Sequence, residues 1–429
     1  MKKHWTGLFA LLVAAAVGLG PAAAGGLPKG DAATLAFAPD RLARIDAAMQ
    51  RYVDAGKLAG VTVAIARDGK LAYLHSAGMA DREAGRPMAE DTMVRIYSMS
   101  KPITAVALMI LVEEGKVHLA DKLSDYLPEF ADMKVQDGEG PDGLKTVPAE
   151  RPIYVHDLLT HTSGLTYDDY ENSPVSKLYK QANIFDPARS LADFSKLIAS
   201  LPLAVQPGTV YNYGVSLDIT GRLIEVVSGQ SFGAFLKDNI FEPLGMKDTT
   251  FRVPAGKQAR FAQLYKPDGK GGLQPMTGAS YHARFAPDAV MESGGGGLVS
   301  TVDDYLRFCQ MLLNGGELDG VRILAPKTVQ LMTTGQLPPE RRPFLARLMP
   351  GYDVGLGVAV LDDLGTSELP GSVGEFNWAG AANTFFFVDP REKVIAVLLT
   401  QLMPYGDPPL REDLKAWTYQ AMTEAHHAE

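Results

Sequence analysis

The 429 residues are 46% hydrophobic and 21% charged, a globular composition with material for a large core, held in one big domain or in two or three ordinary ones. With 41 basic against 50 acidic residues, a formal charge of -9 and no dense Lys/Arg block, the chain lacks the electrostatic footprint that grips phosphate backbones, and nucleic acid is not expected as a partner. Cys309 is the single cysteine, so no intramolecular disulfide can form.

In chain order, "MKKHW" supplies positive charge, "GLFALLVAAAVGLG" a short apolar run, and "PAAAGG" small residues at Ala22 and Ala24. This pattern predicts a cleaved secretory signal over residues 1–24 and a secreted or periplasmic mature protein. The apolar run is shorter than the ~20 residues a membrane span needs, so no stable span is expected after cleavage. Residues 25–35 read as a linker, and 36–425 as one folded domain.

"PDRLARIDAAMQRYVDAG" has helical periodicity with Asp40 placed to cap it, and "VTVAIARDGK" with "LAYLHSAGM" reads as two strands joined at an Asp-Gly turn. From Ser98 onward the strong patterns are helical, including "PITAVALMILVEEG", "SLDITGRLIEVVSG" and "VDDYLRFCQMLLNGG", separated by Gly- and Pro-rich loops. Strand-like runs return as "YDVGLGVAVL", "NTFFFVDP" and "KVIAVLLTQ", before a closing helix around "LREDLKAWTYQAM". The expected fold is α/β of the α+β kind. One antiparallel sheet flanked by helices is built from about 36–96 and 350–425, with a large, mostly helical region, about 97–349, inserted between.

"YSMSK" at 97–101 opens the first helix of that insertion, with Pro102 in the first turn, where a missing N–H costs nothing. At ~100° per residue Ser98 and Lys101 share a face, while Ser100 points away. A lysine amine beside a hydroxyl can take its proton if its surroundings lower its pKa from the ordinary ~10.4, and a helix N-terminus favours the negative charge that develops. Ser98 is therefore the candidate nucleophile.

Other residues invite blander readings. His156 and His161 are five apart, lack a third ligand nearby and do not form H-E-x-x-H, so no metal site is expected. A nucleophile elbow of the α/β-hydrolase kind is not expected. "SGGGG" at 293–297 lacks the Lys-Ser/Thr ending of a phosphate loop and reads as a turn that could border a pocket, followed by a helix start at Ser300 and Thr301 with Asp303 and Asp304. Cys309, on a helical apolar pattern, reads as a packing residue rather than a thiolate.

The order of these segments resembles the serine β-lactamase and penicillin-binding protein superfamily, above all the class C-like hydrolases that include the family VIII carboxylesterases. S-x-x-K at Ser98 and Lys101, "LLTHTSGL" at 158–165, "YNYGVSLDITG" with Tyr213 at the Tyr of Y-x-N, "SGGGGLVS" and "WAGAANTFFFVDP" carry the resemblance, which runs from about residue 36 to 425. It implies that Ser98 attacks an acyl carbonyl, that Lys101 and Tyr213 share the proton transfers, and that the N–H groups of Ser98 and Ala381 form the oxyanion hole. Tyr97, Val215, Trp378, Ala379 and Gly380 would contact substrate, and no cofactor or metal is implied. A lysine cation stabilising a tyrosine phenolate and a neutral lysine accepting directly both fit the sequence.

Two departures bear on substrate. Val215 stands where β-lactamases have the Asn of Y-x-N, and "WAG", Trp378 to Gly380, stands where they have K-T-G, which removes the ammonium and hydroxyl that meet a substrate carboxylate. The expected activity is that of an exported carboxylesterase on small esters. Alternatives are an amide hydrolase or D-amino acid peptidase, a weak β-lactamase, an acyltransferase, or, from another class, a sensor that is acylated without turnover.

Overall fold

A computed structural model of the chain describes residues 25–140, 143–168, 173–278 and 283–426. The expected signal segment, residues 1–24, lies outside them. The first helix, α1 (Pro39–Asp54), begins one residue before the expected cap: Ala38 is the N-cap and Asp40 lies within the first turn. Pro39 explains the difference, since its fixed φ and absent N–H suit the first helical position. Asp40 there still complements the positive helix end.

Among the described residues the main sheet has eight strands. The N-terminal part gives β1 (Gly60–Arg67), β2 (Lys70–Asp81) and β3 (Arg86–Pro87), and the C-terminal part gives β4 (Tyr352–Val354), β5 (Ala359–Leu361), β6 (Phe376–Ala379), β7 (Phe385–Asp389) and β8 (Val394–Thr400). Their order is β4-β5-β6-β7-β8-β1-β2-β3, antiparallel throughout. Asp68 and Gly69, both at positive φ (51° and 75°), make the two-residue turn between β1 and β2, as the Asp-Gly pair predicts. The β1–β8 pairing, with Val63 opposite Leu398, closes the two ends of the chain into one sheet.

Both sheet faces are covered, so β1 is buried along all eight residues. Val61, Val63 and Ile65 face a core shared with α1 and the closing helix, while Ala64 and Ala66 face the larger core of the helical region, the period-2 alternation of a strand. The helices that matter below are α2 (Ser100–Glu113), α3 (Ser216–Ser228), α4 (Val302–Leu313) and the closing α5 (Leu410–Ala421). α2 is buried on nearly every face and is the central post of the helical region. Thr301 caps α4 by accepting from the Asp304 N–H, while Ser300, expected in the same helix start, ends a short strand instead.

Three further expectations are corrected. "YDVGLGVAVL" is not one strand but the hairpin β4–β5: Gly357 sits at φ 82° against Ala105 of α2, where any Cβ would collide with the Ala105 methyl. Residues 25–35 are not a free linker, because Leu27 and Leu35 are buried and the Pro28 carbonyl and Gly30 N–H bond to Leu71 of β2. The helical region also holds a hairpin, Lys134–Gly140 with Gly143–Pro148, that periodicity did not announce.

Candidate active site

The site forms where the start of α2 meets the end of β6. Ser98 lies in a 3-10 turn, Tyr97–Met99, and α2 begins only at Ser100. The single helix expected from Ser98 onward is thus preceded by a kinked turn, because Tyr97 adopts φ 42°, the left-handed region that a residue with a Cβ rarely occupies. The Tyr97 ring is held by edge-to-face packing on Phe285 at 5.9 Å within a buried cluster that includes Met93, Val253 and Leu264, so the strained residue is fixed from outside the turn. Ser100 is fully buried, and its Oγ accepts from the Leu298 N–H at 3.1 Å.

Ser98 and Lys101 meet as their spacing predicts, with Lys101 Nζ 3.0 Å from Ser98 Oγ. Tyr213 OH donates to the same Oγ at 2.8 Å. Lys101 is fully buried, and Nζ also donates to Tyr167 OH at 3.0 Å and to the Gly295 carbonyl at 2.6 Å. Three acceptors match the three N–H bonds of an ammonium. The same Nζ lies 4.7 Å from the Tyr213 ring centroid, so the cation also meets a π face.

Tyr213 is held by two loops zipped together. The Asn212 N–H donates to the His161 carbonyl at 2.7 Å, and Asn212 Nδ2 to the Leu165 carbonyl at 2.8 Å. Gly214 has no room for a Cβ beside the Leu165 carbonyl oxygen at 2.5 Å, which keeps the loops in contact. Around Tyr213 stands an aromatic wall: His161 at 4.7 Å, Tyr167 at 5.3 Å and Trp378 at 6.0 Å between ring centroids. Trp378 lies parallel to His161, at 9° and 6.3 Å. Burial and the nearby Lys101 charge push the His161 imidazole well below its ordinary range, so it is neutral here. His156 lies elsewhere, beside Gln336 at 3.4 Å, so the two histidines do not converge.

The end of β6 closes the site opposite the helix. Gly380 packs against the Ile96 carbonyl and donates its N–H to Thr384 O at 2.7 Å, which brings Ala381 beside the Ser98 turn. Both N–H groups expected to bind an oxyanion, those of Ser98 and Ala381, therefore belong to segments in direct contact.

Not every residue expected to contact substrate turns toward Ser98. Val215 is the N-cap of α3 and wholly buried in the large core, so it offers a substrate no surface. Ala379 packs with the opposite core, among residues such as Phe385 and Leu398, because the pleat turns consecutive residues of β6 to opposite faces. Tyr97 lends its backbone to the site while its ring is buried beside Phe285. Conversely, Tyr167 and the Gly295 carbonyl touch Lys101 without having been singled out. Tyr167 follows "LLTHTSGL" by two residues, and Gly295 lies inside "SGGGG", read as a turn bordering a pocket.

The β-lactamase family model, described as "Beta-lactamase", matches residues 45–419. Protein Rv1367c of Mycobacterium tuberculosis is 37% identical over 365 residues, covering 83% of this chain and 89% of its own length. Esterase EstB of Burkholderia gladioli is 34% identical over 390 residues, covering 86% and 91%. Among solved structures, EstCE1, titled a hydrolase with promiscuous acyltransferase activity, superposes with a TM-score of 0.76 at 27% identity, over 90% of this chain and 99% of that one.

Proposed function

The chain belongs to the beta-lactamase family of serine hydrolases, and we propose that it hydrolyses neutral carboxylic esters through an acyl-enzyme on Ser98. The observation that carries this reading is the position of Ser98 Oγ, 3.0 Å from Lys101 Nζ and 2.8 Å from Tyr213 OH. Tyr213, with its phenolate stabilised by the Lys101 cation, takes the serine proton as Oγ attacks the ester carbonyl. The tetrahedral oxyanion is met by the N–H groups of Ser98 and Ala381, a contribution typically worth ~10²–10³ in rate for each donor. Collapse expels the alcohol, which leaves with the proton held by Tyr213. Water then attacks the acyl group by the same route and releases the acid, regenerating Ser98.

Neutral esters are favoured over penicillins because Trp378, and not a lysine, stands at the end of β6. A β-lactam carboxylate would give up its hydration there without gaining a cation, and an imperfectly paired buried charge is costly. The apolar parts of a short ester gain about 25 cal/mol per Å² buried. An alcohol in place of water would turn the second step into acyl transfer, the side activity named for EstCE1.

We also propose that the chain is exported and begins at Gly25 once mature, on the strength of the charged, apolar and small-residue segments ahead of it. The mass of the secreted chain tests this. The function itself is tested by giving the purified chain p-nitrophenyl butyrate, benzylpenicillin and a D-Ala-D-Ala peptide. Sustained p-nitrophenol release is expected; one stoichiometric burst that then stops would make the protein a sensor, and turnover of the peptide alone would make it a peptidase.

A further inference from the structure

A fully buried carboxyl group, that of Asp218, lies behind Lys101, in the first turn of α3. Its Oδ1 accepts from the Ser293 hydroxyl and, at 3.1 Å, from the Gly295 N–H. The carbonyl of the same Gly295 accepts from Lys101 Nζ at 2.6 Å. One residue thus receives the lysine on one side and donates to the aspartate on the other. Gly295 has no room for a side chain, since a Cβ would run into Asp218 Oδ2 and come within 3.1 Å of Tyr167 OH.

We propose that Asp218 is a positioning residue that holds Lys101 as an ammonium through the Gly295 backbone, so that Tyr213 and not Lys101 is the group that takes the Ser98 proton. The proposal rests on the Ser98 reading above, and it decides between the two proton routes that the sequence leaves open. Three observations support it. Lys101 Nζ meets three oxygen acceptors, as an ammonium requires and a neutral amine, with two N–H bonds, cannot satisfy by donation alone. Asp218 Oδ1 accepts from the Ser293 hydroxyl and the Gly295 N–H, two donors that favour the ionised form of the carboxyl. Hydrogen bonds in series through one amide polarise each other in a low-dielectric interior, so charge at one end is felt at the other.

Among the described residues, the charged and titratable groups around the pair include Tyr167 and Tyr213 on the lysine side, His161 beside them, and Arg284, whose charge reaches Asp218. Burial pushes the Asp218 carboxyl up, and the Ser293 hydroxyl, Lys101, the Gly295 N–H and Arg284 offset only part of that rise. His161 is neutral and contributes no counter-charge. A negative Asp218 opposes loss of the first proton from the Lys101–Tyr213 pair. Removing that charge therefore weakens the preference for keeping the proton on lysine.

Two measurements test this. In the wild type at pH 7, the nitrogen-15 shift of Lys101 Nζ, assigned by its loss in Lys101→Met, is expected at the ammonium position; an amine shift there overturns the proposal, whatever the substrate proves to be. In Asp218→Asn the nitrogen-15 shift of Lys101 Nζ is expected to move from the ammonium toward the amine position. The plateau kcat should fall about 10-fold with KM within about 2-fold, the pattern of a group acting on the base and not on binding. A variant that keeps both the wild-type Nζ shift and the wild-type kcat also overturns the proposal. If Asp218→Asn does not fold, the carboxyl carbon-13 shift of Asp218 in the wild type decides: a carboxylate at pH 7 supports the proposal and a protonated acid overturns it.

Discussion

Gly380 lies so close to Ile96 that a Cβ on it would overlap the Ile96 carbonyl oxygen, and this contact joins the end of β6 to the turn that carries Ser98. The two N–H groups assigned to the oxyanion depend on it. Gly380→Ala should push the strand end away and lower kcat for p-nitrophenyl butyrate by ~10²–10³, the loss expected for one displaced donor. Steady-state kinetics on a variant that still melts cooperatively checks this, and an unchanged kcat would remove Ala381 from the oxyanion role.

The shared hydrogen bonds at Ser98 Oγ predict that Lys101 and Tyr213 act as one unit. Tyr213→Phe and Lys101→Met should each lower kcat by at least ~10², and the double variant should lose little more than the worse single one. Fully additive losses, measured as a double-mutant cycle, would mean that the two side chains serve separate steps.

Much of this was legible in the sequence for a physical reason. Ser98 and Lys101 are three residues apart, so they meet even though Tyr97 breaks the expected helix with its left-handed φ. The sheet followed from period-2 runs at both ends of the chain. What escaped depends on packing between distant segments. Tyr167 and the Gly295 carbonyl reach Lys101 because two loops and α3 converge on it, and neither residue type signals that by itself. Val215 and Ala379 were misread because motif position was taken as side-chain direction, while helix capping and the strand pleat turn them into the two cores. Residues 25–35 lack periodicity, yet Leu27 and Leu35 anchor them on the sheet.

Trp378 lies parallel to His161 in the aromatic wall around Tyr213, and under the proposed function it is the position from which substrate charge is chosen. The wild type should hydrolyse p-nitrophenyl butyrate with kcat/KM at least ~100-fold above that for benzylpenicillin, about 2.7 kcal/mol in transition-state binding. Trp378→Lys should narrow the gap. Ala379 faces the other core and is best left unchanged. Efficient penicillin hydrolysis by the unmodified protein would place a cation elsewhere in the pocket.

Away from the site, Lys415 of α5 and Glu375 next to β6 form a fully buried ion pair, with Nζ at 2.7 and 2.8 Å from the two carboxylate oxygens and 2.9 Å from Tyr352 OH. Lys415→Met leaves a buried carboxylate without its counter-charge and should cost about 3–5 kcal/mol. Adding Glu375→Leu should recover part of that loss, because the orphaned charge is removed with it. Denaturant unfolding of the three variants checks the order, and a double variant less stable than the single one would contradict it.

Acylation of one serine, Ser98, is the step on which every role assigned to Lys101 and Tyr213 depends. Ser98 Oγ faces Lys101 and Tyr213, whereas Ser100 Oγ is buried and engaged with the Leu298 N–H. Peptide mapping by mass spectrometry after reaction with a fluorophosphonate measures this directly. The adduct is predicted on Ser98 in the wild type, still on Ser98 in Ser100→Ala, and absent from a folded Ser98→Ala protein. Labelling of Ser98→Ala at the wild-type rate would contradict the account.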